Sequence, residues 1–314
     1  MTAVAKLPEP CTGQPSAAAA QFVRAAHGLA EELVIAAETA RSWHASEMSE
    51  AIGSFRTRAK VLRALLTVLA QGGDRALCEA TLKILGEANR LLSPLRDHSV
   101  LRRSIRWTGE LFPEEEQRSV RTVLSAAVLL RVNGQSTEAA GDERGFEDAI
   151  LARVLHAAFQ VRSAVATISG EGLKRRVIAA SIESKWRQAR RTLRQALVAR
   201  DIAALHAVRK ELVAVVGCVD AWRGRSERQD DAARLTKLVG RVTRRIGEDR
   251  DFAMLADRCV LERDRFVSQE LLSSILSSIA ARRKEIRRSV RKDARRLKEF
   301  RSSDLRTMLR EVLS

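Results

Sequence analysis

The chain has 314 residues, enough for one large domain or two small ones, and 45% of them are hydrophobic, enough for a sizeable core. Aromatic residues make up only 4%, Tyr is absent and Pro occurs 5 times, a composition that favours an all-helical fold over a β-rich one. The net charge of +17 indicates a polyanionic partner, such as nucleic acid, an anionic membrane surface or a polyphosphate-like chain, with charge for solubility alone as the alternative.

The sequence contains no run of about 18 apolar residues, so no membrane span is predicted. Its four cysteines are scattered, without a CxxC motif or a nearby His at metal-ligand spacing, and we expect free thiols in a reducing compartment. Residues 1–16 contain Pro and Gly but no apolar core, so we expect a short disordered leader there rather than a signal peptide.

From Ala17 onward, apolar residues recur with a helical period along almost the whole chain. A Pro and three acids at 113–116 mark one helix N-terminus, where the macrodipole favours negative charge. Two polar, glycine-containing segments, 134–145 and 223–231, are predicted to be loops. No strand is predicted, and helices are expected at about 17–44, 52–70, 74–92, 95–107, 113–133, 146–169, 172–200, 202–222, 231–246, 249–265, 268–300 and near the C-terminus.

Basic residues form stripes on three of these helices. Arg56, Lys60 and Arg63 share one face of the second helix, opposite three leucines, and no acid stands between them. Taken alone, such a stripe is more typical of a solvated surface than of a binding site. Helices 172–200 and 268–300 carry stripes of similar geometry, and three such stripes in a chain of this charge favour a binding function. The residues of these two stripes are Arg187, Arg190, Arg191 and Arg194, and Arg288, Arg291, Lys292 and Arg295.

The order of the basic elements indicates an internal duplication. SPLRDHSVL and GEDRDFAML each carry an Arg-Asp pair, beginning at Arg96 and Arg250, at a predicted helix boundary, where the pair is either a helix cap or part of a site. Arg56 precedes the first pair by 40 residues, and Arg209 precedes the second by 41. The predicted units are a first helical bundle at 17–200, with an insertion near 109–145, and a second bundle at 201–314.

These elements together resemble the CHAD family of helical domains, named for conserved histidines. LHAVRKEL matches the family's His-x-x-Arg helix start, with His206, Arg209 and Lys210, while LLSPLRDHSVL and RRIGEDRDFAML match its two Arg-Asp elements. GLKRRVIAASIESKWRQARR matches the long basic helix of the first half. The resemblance covers nearly the whole chain from about residue 45 and implies two pseudo-twofold-related four-helix bundles around a basic central groove.

The resemblance further implies binding of inorganic polyphosphate, without catalysis and without a cofactor or metal. The chain departs from the family pattern twice: Gly53 occupies the position of the first-half histidine, and VAVVGCV, which begins at Val213, follows Lys210 where the family has further basic residues. His206 would then be the one pH-sensitive donor of this pattern. The residues implied for polyphosphate binding are Arg56, Lys60, Arg63, Arg96, Arg187, Arg190, Arg191, Arg194, His206, Arg209, Lys210, Arg250, Arg288, Arg291, Lys292 and Arg295.

The composition suits a polyphosphate chain, which carries negative charge on every phosphate and offers no base for aromatic side chains to stack on. A nucleic-acid-binding protein without sequence preference is the alternative, although no RRM, KH, zinc or recognition-helix signature is present. An enzyme is the weakest hypothesis, because no Walker loop or HD pair occurs and the acids look like partners of cations on helix surfaces. We expect a cytoplasmic protein associated with polyphosphate granules, and the sequence indicates no oligomeric state.

Overall fold

The structure is a computed structural model that describes residues 15–42, 45–129, 140–199, 202–223 and 230–311. Within these ranges all regular structure is helical, which confirms the all-α prediction. A π-helical segment, Ser125–Leu129, prolongs the fifth helix, and a 3-10 turn, Arg263–Arg265, follows the ninth. The α-helices of the described ranges are α1 (Ala17–Ser42), α2 (Ala45–Leu69), α3 (Arg75–Leu91), α4 (Ser93–Gly109), α5 (Glu114–Leu124), α6 (Ala140–Ala166), α7 (Arg175–Ala199), α8 (Ile202–Arg223), α9 (Asp230–Leu261), α10 (Gln269–Glu299) and α11 (Ser302–Glu311).

The predicted break near 247 is wrong, because α9 runs unbroken through Gly247. The pair that begins at Arg250 therefore lies inside a helix and is not a helix cap. A glycine in a helix interior costs about 1 kcal/mol, which packing readily outweighs. Here the missing side chain makes room for a neighbour, since a Cβ at Gly247 would lie 3.2 Å from Nη2 of Arg209.

Two other predicted boundaries are also corrected. Residues 140–145, predicted to belong to a loop, form the first turns of α6. Only Leu92 separates α3 from α4, because Pro94 sits in the first turn of α4, where its missing N–H costs no hydrogen bond. Most of the predicted leader and parts of both predicted loops lie outside the described residues, at 1–14, 134–139 and 224–229.

The buried side chains form one contiguous hydrophobic core that extends from α1 to α11. Leu62, Leu66 and Leu69, predicted to face away from the basic stripe of α2, are all fully buried. Ile286 and Val290 are likewise buried on α10, opposite its basic stripe. The helical period thus assigns the buried apolar side of both helices correctly.

The helix pairing brings α2 and α8 together at the middle of the molecule. α1 packs against α2 and α6, α8 packs against α7 and α9, and α4 packs against α9. A Cβ at Gly217 of α8 would lie 2.5 Å from Cγ1 of Val61, so this glycine permits the close approach of α8 to α2. The equivalence of two bundles, their boundaries and the insertion stay predictions.

One helical segment, Gly145–Ala166 of α6, is long and apolar enough to cross a membrane by length and composition, with a mean hydropathy of 1.2. The prediction from sequence did not identify it. One third of this segment is buried in the protein, where Leu151, Val154 and Val161 join the core beside α1 and α3. Core helices pass the same test, so the segment is weak evidence for a membrane span.

Candidate polyanion-binding site

Five cations from four helices meet where α2, α4, α8 and α9 pack together. Lys60 lies close enough to the other four that each of their charges lowers its pKa. Arg56, Arg96 and Arg209 come from three different helices. Arg250 comes from a fourth helix and lies at the exposed edge of the group. This central cluster consists of Arg56 and Lys60 of α2, Arg96 of α4, Arg209 of α8 and Arg250 of α9.

Neutral groups fix the positions of two of these arginines. Nη1 of Arg56 donates to the carbonyl oxygen of Asn89, at 2.7 Å, and to Oγ of Ser93, at 3.4 Å. Asn89 belongs to the last turn of α3, where carbonyls lack intrahelical partners. The guanidinium of Arg209 packs over Gly247, and its Nε is buried with no hydrogen-bond partner in the described part of the chain. Both arginines are held in place without a salt bridge in the described residues. The charges of Asp97, near Arg56, and of Asp251, near Arg209, raise the pKa values only in part, and both pKa values remain lowered.

Among the described residues, carboxylates pair with only one member of the central cluster. Arg96 binds Asp97 at 2.9 Å and Asp251 at 3.2 Å, and Asp251 also accepts a hydrogen bond from Arg103 at 2.6 Å. Arg56, Lys60, Arg209 and Arg250 have no carboxylate within salt-bridge distance in the described ranges. The cluster therefore carries an excess of positive charge.

Burial makes this charge energetically costly. Burial and the charges of Arg209, Arg56, Arg96 and Arg250, in that order, lower the pKa of Lys60 from 10.5 to about 8. Burial is also the largest cause that lowers the pKa values of Arg56 and Arg209. Because water is scarce around these side chains, an anion placed among them would be attracted more strongly than on an exposed surface.

We expect Lys60→Met to raise the free energy of unfolding near pH 7 by about 2 kcal/mol, because the folded protein then no longer holds this buried ammonium. The folded pKa of about 8 lies below the ordinary value of 10.5, so the unfolded state binds more protons between these values. The stability of the wild type should therefore rise with pH through this window, and the advantage of the variant should shrink.

Urea unfolding at about pH 7 and about pH 10 measures both effects. Lys83→Met, at an exposed position on α3, is the matched control and should change stability little. A Lys60→Met protein no more stable than the wild type near pH 7 would contradict the inferred cost of burial.

Three further residues of the predicted set lie within three positions of Lys60 or Arg209 along the chain. Arg63 is exposed on α2, with Nη1 3.4 Å from where a Cβ of Gly86 would lie. Lys210 is exposed on α8, next to Arg209. The backbone of His206 belongs to α8, one turn before Arg209, but its side chain lies outside the described part of the structure.

The other two predicted stripes lie elsewhere. On α7, three of the four arginines are exposed, while Arg190 donates to the carbonyl oxygen of Lys298, at the end of α10, at 3.0 Å. Burial and the charges of Arg194 and Arg301 lower the pKa of Arg190, and the charge of Asp304 raises it. On α10, Arg288, Lys292 and Arg295 are exposed and Arg291 is partly buried. The structure thus groups the α7 stripe with the end of α10 and with α11.

Arg103 was not identified from the sequence as a residue of the site, and the burial of Asp251 was not predicted. Arg103 stacks over Trp107, at 5.0 Å from the ring centroid, and its charge lowers the pKa of Arg209. It follows Arg96 by seven residues, or two helical turns, a spacing that places both on one face. Asp251 is a partner of cations, as expected of the acids, but it is almost fully buried and not at the helix surface.

The model of the CHAD domain family matches residues 27–258 of the chain. This region includes most of α1 and nearly all of α9, and therefore every residue of the central cluster, whereas α10 and α11 lie beyond it. A search of curated proteins found no match.

Proposed function

The chain belongs to the CHAD domain family, and from this premise we propose that it binds inorganic polyphosphate at the central cluster. One observation carries the proposal: four cations drawn from three helices lie together without a carboxylate partner in the described residues. Such a group is unfavourable when empty and gains most from a ligand with several negative charges at close spacing. A polyphosphate chain has this property along its whole length.

The geometry of the cations suits phosphate oxygens. Arg56 and Arg209 present planar guanidinium groups that can bind two oxygens at once, and Lys60 adds a compact charge between helices. Because helix backbone and neutral hydrogen bonds already fix Arg56, little side-chain entropy remains to be lost on binding. Release of counterions from the chain should make the affinity strongly dependent on salt.

We further propose that binding occurs without catalysis. The two carboxylates beside the cluster, Asp97 and Asp251, are engaged by arginines at 2.9 Å and at 2.6–3.2 Å. Metal-assisted phosphoryl transfer uses carboxylates that coordinate the metal ions. A cytoplasmic protein associated with polyphosphate granules is the cellular role that follows from this proposal.

Titration with long-chain polyphosphate and with DNA of equal total charge, at two salt concentrations, tests the function. We expect polyphosphate to bind more than about tenfold tighter than DNA, with both affinities falling as salt rises. Equal affinities would favour the nucleic-acid alternative. Release of orthophosphate over time would contradict binding without catalysis.

We expect Gly53→His to tighten polyphosphate binding about three- to tenfold near pH 6, with little change near pH 8, since imidazole titrates between these values. Gly53 is exposed and precedes Arg56 by three residues, so a side chain there points to the same side of α2. A Cβ at this position meets no atom within 4 Å, so the substitution needs no rearrangement.

Affinity measured at both pH values for Gly53→His and Gly53→Gln separates charge from side-chain size. Gln also fills the open space and improves helix propensity over Gly, but it does not titrate. An equal effect of the two substitutions at both pH values would show that the position does not reach the bound chain.

A further inference from the structure

Eight of the ten cations of α10 fall into two groups with different surroundings, and of the other two Arg296 lies 3.9 Å from Asp293. On the side that faces α9, Arg282, Arg283 and Arg287 each pair with Glu248 or Asp249 at 2.9–3.1 Å. On the opposite side, no carboxylate of the described residues lies within salt-bridge distance of any cation. These unpaired cations, named the outer ridge, are Lys284, Arg288, Arg291, Lys292 and Arg295.

The outer ridge is a continuous surface feature. Lys284, Arg288, Arg291 and Arg295 follow one another at about one helical turn, or about 5.4 Å along the axis, and Lys292 lies next to Arg291. Four of the five are exposed, and Ile286 and Val290 are buried on the other side of the helix. The ridge therefore presents a row of regularly spaced positive charges to its surroundings.

The ridge continues onto α7. Arg190 of α7 donates to the carbonyl oxygen of Lys298, in the last turn of α10, at 3.0 Å. The charges of Arg194, Asp304 and Arg301 act on Arg190, which places the α7 stripe and the start of α11 beside the end of the ridge. The two long basic helices thus contribute to one surface.

This surface is separated from the central cluster by α9. Asp249 faces α10, where it pairs with Arg283 and Arg287, whereas Asp251 faces α4, where it pairs with Arg96. Two residues along a helix correspond to a rotation of about 200°, so these two sides of α9 are nearly opposite. The ridge lies on the far side of α10 from α9, so the packed pair of α9 and α10, with an interaxial distance of about 8–10 Å, separates it from Arg96 on α4.

We propose that the outer ridge, with the adjoining end of α7, is a second polyphosphate-binding surface that lets one molecule bridge two chains or two segments of one chain. The inference rests on the proposed function of the central cluster. The family model matches the chain up to residue 258, before α10 begins. Two separated sites for one polymer convert binding into cross-linking, which condenses long chains at low protein concentration.

The test compares a ridge variant, Arg288→Gln with Lys292→Gln and Arg295→Gln, with a control, Lys83→Gln with Arg118→Gln and Arg153→Gln. The control removes the same charge from exposed positions scattered over α3, α5 and α6. Calorimetry with short-chain polyphosphate gives the number of chains bound per protein. Light scattering with long-chain polyphosphate gives the protein concentration at which condensation begins.

We expect the wild type and the control to bind two short chains per molecule, and the ridge variant to bind one with the affinity of the central cluster. Condensation of long chains by the ridge variant should need at least about tenfold more protein. A second variant, Lys284→Gln with Arg295→Gln, with helicity checked by circular dichroism, guards against a local folding defect and should behave in the same way.

Two results would overturn the proposal while leaving the central cluster intact. One is a single short chain per wild-type molecule, and the other is condensation by the ridge variant at the control's concentration. A ridge variant that loses DNA binding but still binds two short chains would assign the ridge to nucleic acid instead. Absence of polyphosphate binding by all proteins, the wild type included, would refute the proposed function itself.

Discussion

Replacing both Arg56 and Arg209 by Gln should lower the affinity for polyphosphate by about 10²- to 10⁴-fold. Each guanidinium contributes a charge-assisted hydrogen bond worth about 1.5–3 kcal/mol, and about 1.4 kcal/mol corresponds to a factor of ten. Gln can still donate a hydrogen bond at each position, so the fold is expected to persist. The loss should fall at the high end of the range, because both side chains are partly buried and have no carboxylate partner in the described residues.

The salt dependence of binding gives a second readout of the same variant. Each cation that contacts phosphate releases counterions, so the slope of log K against log salt should become shallower by about two when two are removed. Arg118→Gln with Arg153→Gln removes equal charge from exposed sites on α5 and α6 and serves as the control. A similar loss of affinity in the control would show that binding depends on net charge rather than on the central cluster.

The second large effect concerns stability. Asp249→Asn should lower the free energy of unfolding by about 2–4 kcal/mol, because it leaves two partly buried cations without their carboxylate between α9 and α10. The Asp249 side chain is 5% exposed and accepts from Nε of Arg283 and of Arg287, each at 3.1 Å. The expected loss extends down to about 2 kcal/mol because the side chain of Arg287 is 31% exposed and stays partly hydrated.

Denaturant unfolding of Asp249→Asn measures this loss, with Asp257→Asn as the matched control. Asp257 is exposed on the same helix and should tolerate the change within about 0.5 kcal/mol. If Asp249→Asn also stayed within that margin, the α9–α10 contact would depend on its apolar side chains alone. Since Asp249 holds the inner arginines of α10, a destabilised variant should also lose the outer ridge as an ordered surface.

The sequence predicted the helices and their buried faces well because both depend on a local period. Leu62, Leu66 and Ile286 are buried where a rotation of about 100° per residue places them. The same rule failed where a glycine was taken as a helix end. Gly247 stays helical because a side chain from another helix fills the space beside it, and no local pattern contains that contact.

The basic residues show the same division between what the local sequence predicts and what contacts between helices decide. Spacing alone placed Arg56 and Lys60 on one helix face, and the family resemblance placed Arg209 and Arg250 at a common site, where the structure brings all four together. Spacing could not show that Arg287 is compensated by a buried acid while Arg288, the next residue, is exposed and has no carboxylate partner in the described residues. Both look alike in sequence, because the compensating carboxylate of Asp249 comes from a helix 38 residues away.

By itself, the sequence determined an all-α protein of high positive charge, the buried faces of α2 and α10, and the family to which the chain belongs. The tertiary structure alone decided which cations meet across helices, which are neutralised and which remain available to an anion. The physical reason is that helical periodicity is a local property of the backbone, whereas the free energy of a charge depends on burial and on every charge that packing brings near it. Lys60 illustrates this, since only its four arginine neighbours and its burial give it a pKa of about 8.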